Sequence, residues 1–180
     1  MAVTGNLEFR IARADCEFEQ IHGLNYRTFV EEIPQHAANQ EKRLVDRFHY
    51  ENTYFICLDG ERVVGMIAVR ANRPFSLDQK LDDLDVFLPE CESICEFRLL
   101  AIEKEYRHAR VLRELIAHVA EYCLGVGYDL GIISGTTRQQ RLYEHIGFEP
   151  FGPLVGTEGA LYQPMYLTLD GFRLGTAAPT

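Results

Sequence analysis

The sequence predicts one α/β (α+β) domain built on a mixed central sheet of about six to seven strands, with helices on both faces. Three observations predict it. Apolar residues repeat with a period near two in some stretches and near 3.6 in others, and the two kinds of stretch alternate along the chain. At 180 residues and 20.6 kDa the chain has the length of one ordinary domain. Hydrophobic residues make up 47% of it, enough to bury a sizeable core without disulfides or metal.

Each element has a local reason. Leu7 to Ala12 alternates as a short strand, and Asp15 is placed to cap a helix carrying Phe18, Ile21, Leu24 and Phe29, which Pro34 ends. A second helix is expected over Gln40 to Phe48, with Leu44, Val45 and Phe48 on one side. Thr53 to Leu58 and Arg62 to Val69 form a hairpin, because Asp59-Gly60 supplies the positive φ that such turns need. Asn72 to Glu90 is polar, contains Pro74 and Pro89, and reads as an excursion over the surface with a short helix around Leu77 to Leu84. Ser93 to Ile102 returns as a strand. Val111 to Cys123 then places Leu112, Leu115, Ile116, Val119 and Cys123 on one helical face, with Gly125 and Gly127 to stop it. A strand over Tyr128 to Ser134 follows. The T-x-x-Q box at Thr137 to Gln140 opens a short helix through Tyr143 that Gly147 ends. Phe148 to Phe151 and Tyr162 to Leu169 are closing strands. Residues 1–169 are thus expected to be the domain, and 170–180 a tail or linker that loses periodicity.

Charge narrows the function. Eighteen Lys and Arg against 27 Asp and Glu give a net charge of -9, which argues against nucleic acid and anionic lipid as partners, since binding to polyanions rests on clustered cations. No window approaches the ~18 apolar residues of a membrane span, and the start lacks an apolar export segment, so a cytoplasmic location is expected. Cys16, Cys57, Cys91, Cys95 and Cys123 are an odd, scattered set that reads as reduced thiols. Neither the CESIC segment nor any of the six histidines has a partner at metal-ligand spacing, so no metal is expected.

The segment richest in chemistry runs from Leu99 to Leu115, a buried strand turning through charged residues into an amphipathic helix. A helix N-terminus with free N–H groups seats phosphate oxygens. Arg107, Arg110 and Arg113 gather there, a local reversal of sign. Either they meet a phosphate, or they pair with Glu103, Glu105 and Glu114 as a solvated helix start. Glu96 and Arg98 lie two apart on a strand and point to one face, either as a structural ion pair or with Glu96 as a proton acceptor. Tyr143 is an aromatic on a short helix, and its phenol is a possible proton donor. Ser134-Gly-Thr-Thr137 reads either as a ligand contact or as a capped turn.

The strand, turn and helix at Leu99–Leu115, followed by a strand and then Arg141-Leu-Tyr-Glu-His-Ile-Gly-Phe148, resembles the Gcn5-related N-acetyltransferase (GNAT) superfamily. That resemblance implies a GNAT-like sheet in which the fourth strand splays from the fifth and the pantetheine arm of an acyl donor lies in the gap. Leu100, Ala101 and Ile102 would bind pantetheine through the main chain. Arg107, His108, Ala109, Arg110, Val111 and Leu112 would form the pyrophosphate turn, although Arg110 and Leu112 stand where the family usually has glycine. Tyr143 matches the position that protonates the departing thiolate, and Glu96 would accept the proton of the attacking amine.

Leu24 to Glu32, Val45 to Phe48, the hairpin with Val64-Gly65, and Arg73-Pro-Phe-Ser-Leu77 resemble the layout of acyl-homoserine-lactone synthases and long-chain N-acyl amino acid synthases, as do Phe151 to Val155 and Tyr162 to Met165. Asn25 stands where the lactone synthases usually show arginine, and His49 near their second acidic residue. The resemblance implies an N-acyltransferase that moves an acyl group from acetyl-CoA, a longer acyl-CoA, or acyl-phosphopantetheine on an acyl carrier protein to a primary amine of a small molecule. Phe29 and Arg98 would be acceptor-side residues. The rival readings are a non-catalytic sensor of acyl thioesters and a module of a larger enzyme. An edge strand near the C-terminus could pair two copies as a homodimer.

Overall fold

A computed structural model describes residues 6–176. The chain forms two compact units: the first runs to Val69 and takes in Leu99–His118, and the second takes Arg70–Arg98 and the chain from Val119 on. Eight strands and four α-helices make the mixed, mostly antiparallel sheet fold that the sequence predicts, with more strands than expected.

The first unit begins with β1 (Leu7–Ile11) and α1 (Asp15–Tyr26), which continues as a π-helical segment over Arg27–Glu32. Asp15 does not cap α1. The cap position is Ala14, and Glu17 does the work by accepting the N–H groups of Arg13 at 2.7 Å and Ala14 at 3.1 Å. β2 (Thr53–Asp59) pairs antiparallel with β1 and with β3 (Arg62–Arg70), and Gly60 takes the positive φ of +61° that the hairpin turn needs. The C-terminal part of β4 (Ile94–Ile102) is next in strand order, and the N–H of Glu103 donates to the carbonyl of Val64. Ile21, Leu24, Tyr54, Ile56, Met66 and Ala101 fill one core, each large apolar side chain contributing about 1.5–3 kcal/mol.

The helix expected over Gln40 to Phe48 does not form. Lys42 sits at φ +51°, outside helical geometry, and the N–H of Leu44 is spent on the carbonyl of His22. Leu44 and Phe48 are half-buried while Val45 is exposed, so the apolar spacing anchors a strap of turns.

In the second unit the N-terminal part of β4 pairs parallel with β5 (Leu130–Thr136), and β5 pairs antiparallel with β8 (Ala160–Thr168) along its whole length. β6 (Glu149–Pro150) and the unexpected β7 (Val155–Thr157) also pair with β8. α2 (Ala109–Val126) starts in the first unit and ends in the second, where Gly127 at φ +100° follows it. α3 (Gln140–Ile146) ends at Gly147, φ +117°, as expected, but its T-x-x-Q box makes no capping bond because Thr137–Gln139 is a 3₁₀ turn. The stretch after 169, expected to be a tail, is helical over α4 (Leu169–Thr176); residues 177–180 lie outside the described residues.

The segment 72–90 is no surface excursion. Its only regular piece among the described residues is a 3₁₀ turn at Asp85–Phe87, yet Phe75, Leu77, Leu81 and Leu84 pack with Leu130, Ile132, Phe151 and Val155 as the core of the second unit. Its polar character conceals four inward anchors. No helix among the described residues is long and apolar enough to cross a membrane.

Candidate active site

The pairing of β4 with β5 runs over Ile94↔Leu130, Cys95↔Gly131 and Glu96↔Ile132, whereas β5 stays paired with β8 as far as Thr136↔Tyr162. The parallel ladder between β4 and β5 thus ends at Glu96. Phe97 lays its ring over Gly131, where a Cβ would come within 2.5 Å of it, and Leu99 takes φ +55°, a left-handed conformation that costs an L-residue about 1–2 kcal/mol.

At the end of that ladder stands Glu96, 1% exposed. Its Oε1 accepts the N–H of Ser76 at 2.8 Å and also the Ser76 hydroxyl, and its Oε2 lies 3.3 Å from an Arg98 guanidinium nitrogen. The ion pair expected of Glu96 and Arg98 exists, and the carboxylate is held from a second side by a residue that sequence reasoning missed. Ser76 lies in a turn in which the Asp78 carboxylate accepts the N–H of Phe75 at 2.7 Å. The signal was present in Arg73-Pro-Phe-Ser-Leu77, a polar residue between two apolar ones with an aspartate two positions on.

Tyr143 is 4% exposed and packs edge-on against Phe148 with ring centroids 5.7 Å apart. Burial pushes its phenol well above the usual tyrosine range, so it stays protonated. The hydroxyl has a long contact of 3.5 Å to Gln139 Oε1. A position-135 Cβ would lie 2.9 Å from the Tyr143 ring, so Gly135 is what lets the ring lie against β5. The hydroxyls of Ser134 and Tyr162 are buried and have no hydrogen-bond partner among the described residues.

The first unit holds the turn into α2. Arg107 pairs with neither Glu103, Glu105 nor Glu114, as expected of the solvated reading, but with Glu32, through bonds of 2.6 and 2.7 Å. Its Nε donates to the carbonyl of Ile102 at 2.7 Å. Glu103 pairs instead with Arg27 at 2.5 Å, and Glu105 with Arg62 at 3.0 Å. His108, Ala109, Arg110 and Arg113 are exposed, and Arg110 and Arg113 make no ion pair among the described residues. Val111 and Leu112 are buried, so only their backbone could face a phosphate. Ala101 and Ile102 are buried, Leu100 is half-buried, and Phe29 packs against the first core.

A histidine pair also went unread. His22 and His49 meet edge to face at 4.8 Å, and His49 Nδ1 shares a hydrogen bond of 3.0 Å with the Tyr54 hydroxyl. His22 is 3% exposed, and its buried Nδ1 has no hydrogen-bond partner among the described residues.

A mixed sheet with a buried carboxylate where the parallel β4–β5 ladder ends, and with a strand-turn-helix after it, is the fold of solved structures described as a putative N-acetyltransferase and a putative acetyltransferase of the GNAT family. Residues 20–169 match the family model of N-acyl amino acid synthase FeeM, and the chain belongs to that family. The structure resembles the acyl-homoserine-lactone synthase LasI, at 16% identity over 92% of this chain and 91% of that one, with a TM-score of 0.75. It resembles FeeM, an N-acyl amino acid synthase from uncultured soil microbes, at 20% identity over 95% of each chain, TM-score 0.73. It also resembles BjaI, a CoA-dependent acyl-homoserine-lactone synthase solved with SAM and isopentyl-CoA, at 23% identity over 91% and 83%, TM-score 0.71. No curated protein matches by sequence.

Proposed function

We propose that this chain acylates the amino group of an amino acid, with the acyl group delivered as a thioester of phosphopantetheine in coenzyme A or on an acyl carrier protein. The observation that carries the reading is the buried Glu96 at the end of the β4–β5 ladder. The family model and the FeeM structure support an amino acid as acceptor, and the BjaI complex supports a CoA thioester as one form of donor.

On this reading the main chain of Leu100, Ala101 and Ile102 binds the pantetheine arm, and the N–H groups that open α2 meet its phosphate, assisted by Arg110. Arg107 is already engaged by Glu32 and Ile102. The turn therefore offers fewer free cations than its three arginines suggest, which suits the single phosphate of a carrier-bound arm as well as it suits a pyrophosphate. Arg98 and Phe29 serve the acceptor.

The chemistry balances with three protons on the acceptor ammonium. One passes to Glu96, directly or through a water, and leaves to solvent; the freed lone pair attacks the thioester carbonyl, whose oxygen is stabilised by backbone donors. The carbon–sulfur bond breaks with its electrons on sulfur, which takes the proton of Tyr143. The second ammonium proton restores Tyr143, and the third stays on the amide nitrogen. The test is mass spectrometry of products from the purified protein with long-chain acyl-CoA or acyl carrier protein and each of the common amino acids. An N-acyl amino acid is expected; the absence of any acylated product with every donor would overturn the reading.

A further inference from the structure

We infer that Ser76 is a positioning residue that assigns the two oxygens of Glu96 different tasks, an inference that rests on the proposed base role of Glu96. The Ser76 N–H, at 2.8 Å, and the Ser76 hydroxyl converge on the same oxygen, Oε1. That oxygen then carries two donors, while Oε2 carries the longer contact, 3.3 Å, to Arg98. A carboxylate held in this way cannot rotate about its terminal torsion, so Oε2 is the oxygen that faces an incoming proton. In a side chain buried to 1% exposure, that fixes the direction of proton transfer.

The turn that presents Ser76 is itself braced. Asp78 receives the Phe75 N–H and returns its own N–H to the Phe75 carbonyl at 3.1 Å. Phe75 and Leu77, on either side of Ser76, are sunk in the second core at 1% and 0% exposure. The hydroxyl therefore sits on a rigid support, in the way a second residue orients a reacting group from behind. Asp78, Phe75 and Leu77 hold the turn, while Ser76 alone reaches the carboxylate.

The experiment compares Ser76→Thr with Ser76→Val, which share one shape and differ by the hydroxyl, and includes Glu96→Gln. Steady-state rates are read across pH with saturating donor. Ser76→Thr is expected to stay within about threefold of the parent. Ser76→Val is expected to lose about tenfold in kcat with the donor KM unchanged, because the hydrogen bond that orients the carboxylate is gone. If the Thr and Val variants behave alike, whether both active or both inactive, the inference is overturned. The base reading fails separately, if Glu96→Gln keeps the parent rate and pH profile; a Glu96→Gln loss beside an unaffected Ser76→Val overturns the role of Ser76 alone.

Discussion

The guanidinium of Arg107 lies along the carboxylate of Glu32 in two parallel hydrogen bonds of 2.6 and 2.7 Å, and its third edge holds the carbonyl that ends β4, at Ile102. The pair raises the Arg107 pKa further above its ordinary value, chiefly through the hydrogen bond to Glu32. A side chain so engaged is a brace, and a brace and a phosphate ligand respond differently to removal.

Arg107→Ala is therefore expected to cost about 1–2 kcal/mol, a fall of about 3–6 °C in melting temperature for a chain of this length. Arg110→Ala should leave the melting temperature within about 1 °C and raise the donor KM about three- to fivefold, the loss of one exposed charged contact. Thermal melts beside donor-dependence curves check both. Equal melting losses in the two variants would remove the distinction.

Tyr143→Phe deletes a hydroxyl whose one contact is 3.5 Å long, so stability should change by no more than about 0.5 kcal/mol. If the phenol supplies the thiolate proton, kcat should fall about 10²-fold while the donor KM holds. Rates measured with a donor whose thiol is a better leaving group, such as an aryl thioester, should recover most of that loss. A parent-like rate with the ordinary donor would take Tyr143 out of the mechanism.

Most of the secondary structure was legible because the sequence signals were local. Asp59-Gly60 announced its hairpin and Gly147 its helix end, and the apolar face from Val111 to Cys123 announced α2. The misses share a physical origin in partners distant in sequence. Leu44 and Phe48 have helical spacing, but the N–H of Leu44 finds the His22 carbonyl, 22 positions back. The segment 72–90 looks like loop because its apolar residues follow neither period, yet four of them complete a core. At the candidate site, Glu96, Arg98 and Tyr143 were legible from strand parity and motif. Ser76 was not, since its partner is 20 residues away, and Glu32 was not, since its partner is 75 away.

Acid stability follows from two groups that act in the same direction. Glu17, held by Arg10 at 2.5 Å and by the N–H groups of Arg13 and Ala14, is drawn down from 4.5 to about 2. Its stabilising contribution is complete above its unfolded value and drains away as pH falls from about 4.5 toward 2. His22 is lowered chiefly by burial, then by the charge of His49 and of Arg43, and against a small opposing pull from Glu19. It stays neutral when folded, so stability starts to fall as pH drops through the ordinary histidine range near 6.5. Denaturant melts from pH 8 to 3 should show two successive losses. Glu17→Gln should flatten the lower one and cost about 1–2 kcal/mol at neutral pH, and His22→Leu should flatten the upper one. An unchanged profile in either variant would refute the assignment for that residue.

The packing of β4 on β5 at Gly131 can be tested apart from catalysis. Phe97 is 2% exposed, and its ring takes the space a side chain at 131 would need: a Cβ there would meet the ring at 2.5, 2.8 and 3.1 Å. The ring cannot retreat freely, because Phe148 stands edge-on to it at 6.2 Å and is itself 2% exposed. Gly131→Ala is therefore expected to destabilise by about 1–3 kcal/mol through overpacking, read as a lower denaturant midpoint with an unchanged slope. In a Phe97→Leu background the same substitution should cost less than half as much, because the clashing ring atoms are gone and the two sites are in contact. Had glycine been retained at 131 for backbone freedom alone, the alanine penalty would be the same in both backgrounds. A double-mutant cycle with no coupling energy would therefore show that the Phe97 ring is not what requires glycine at 131.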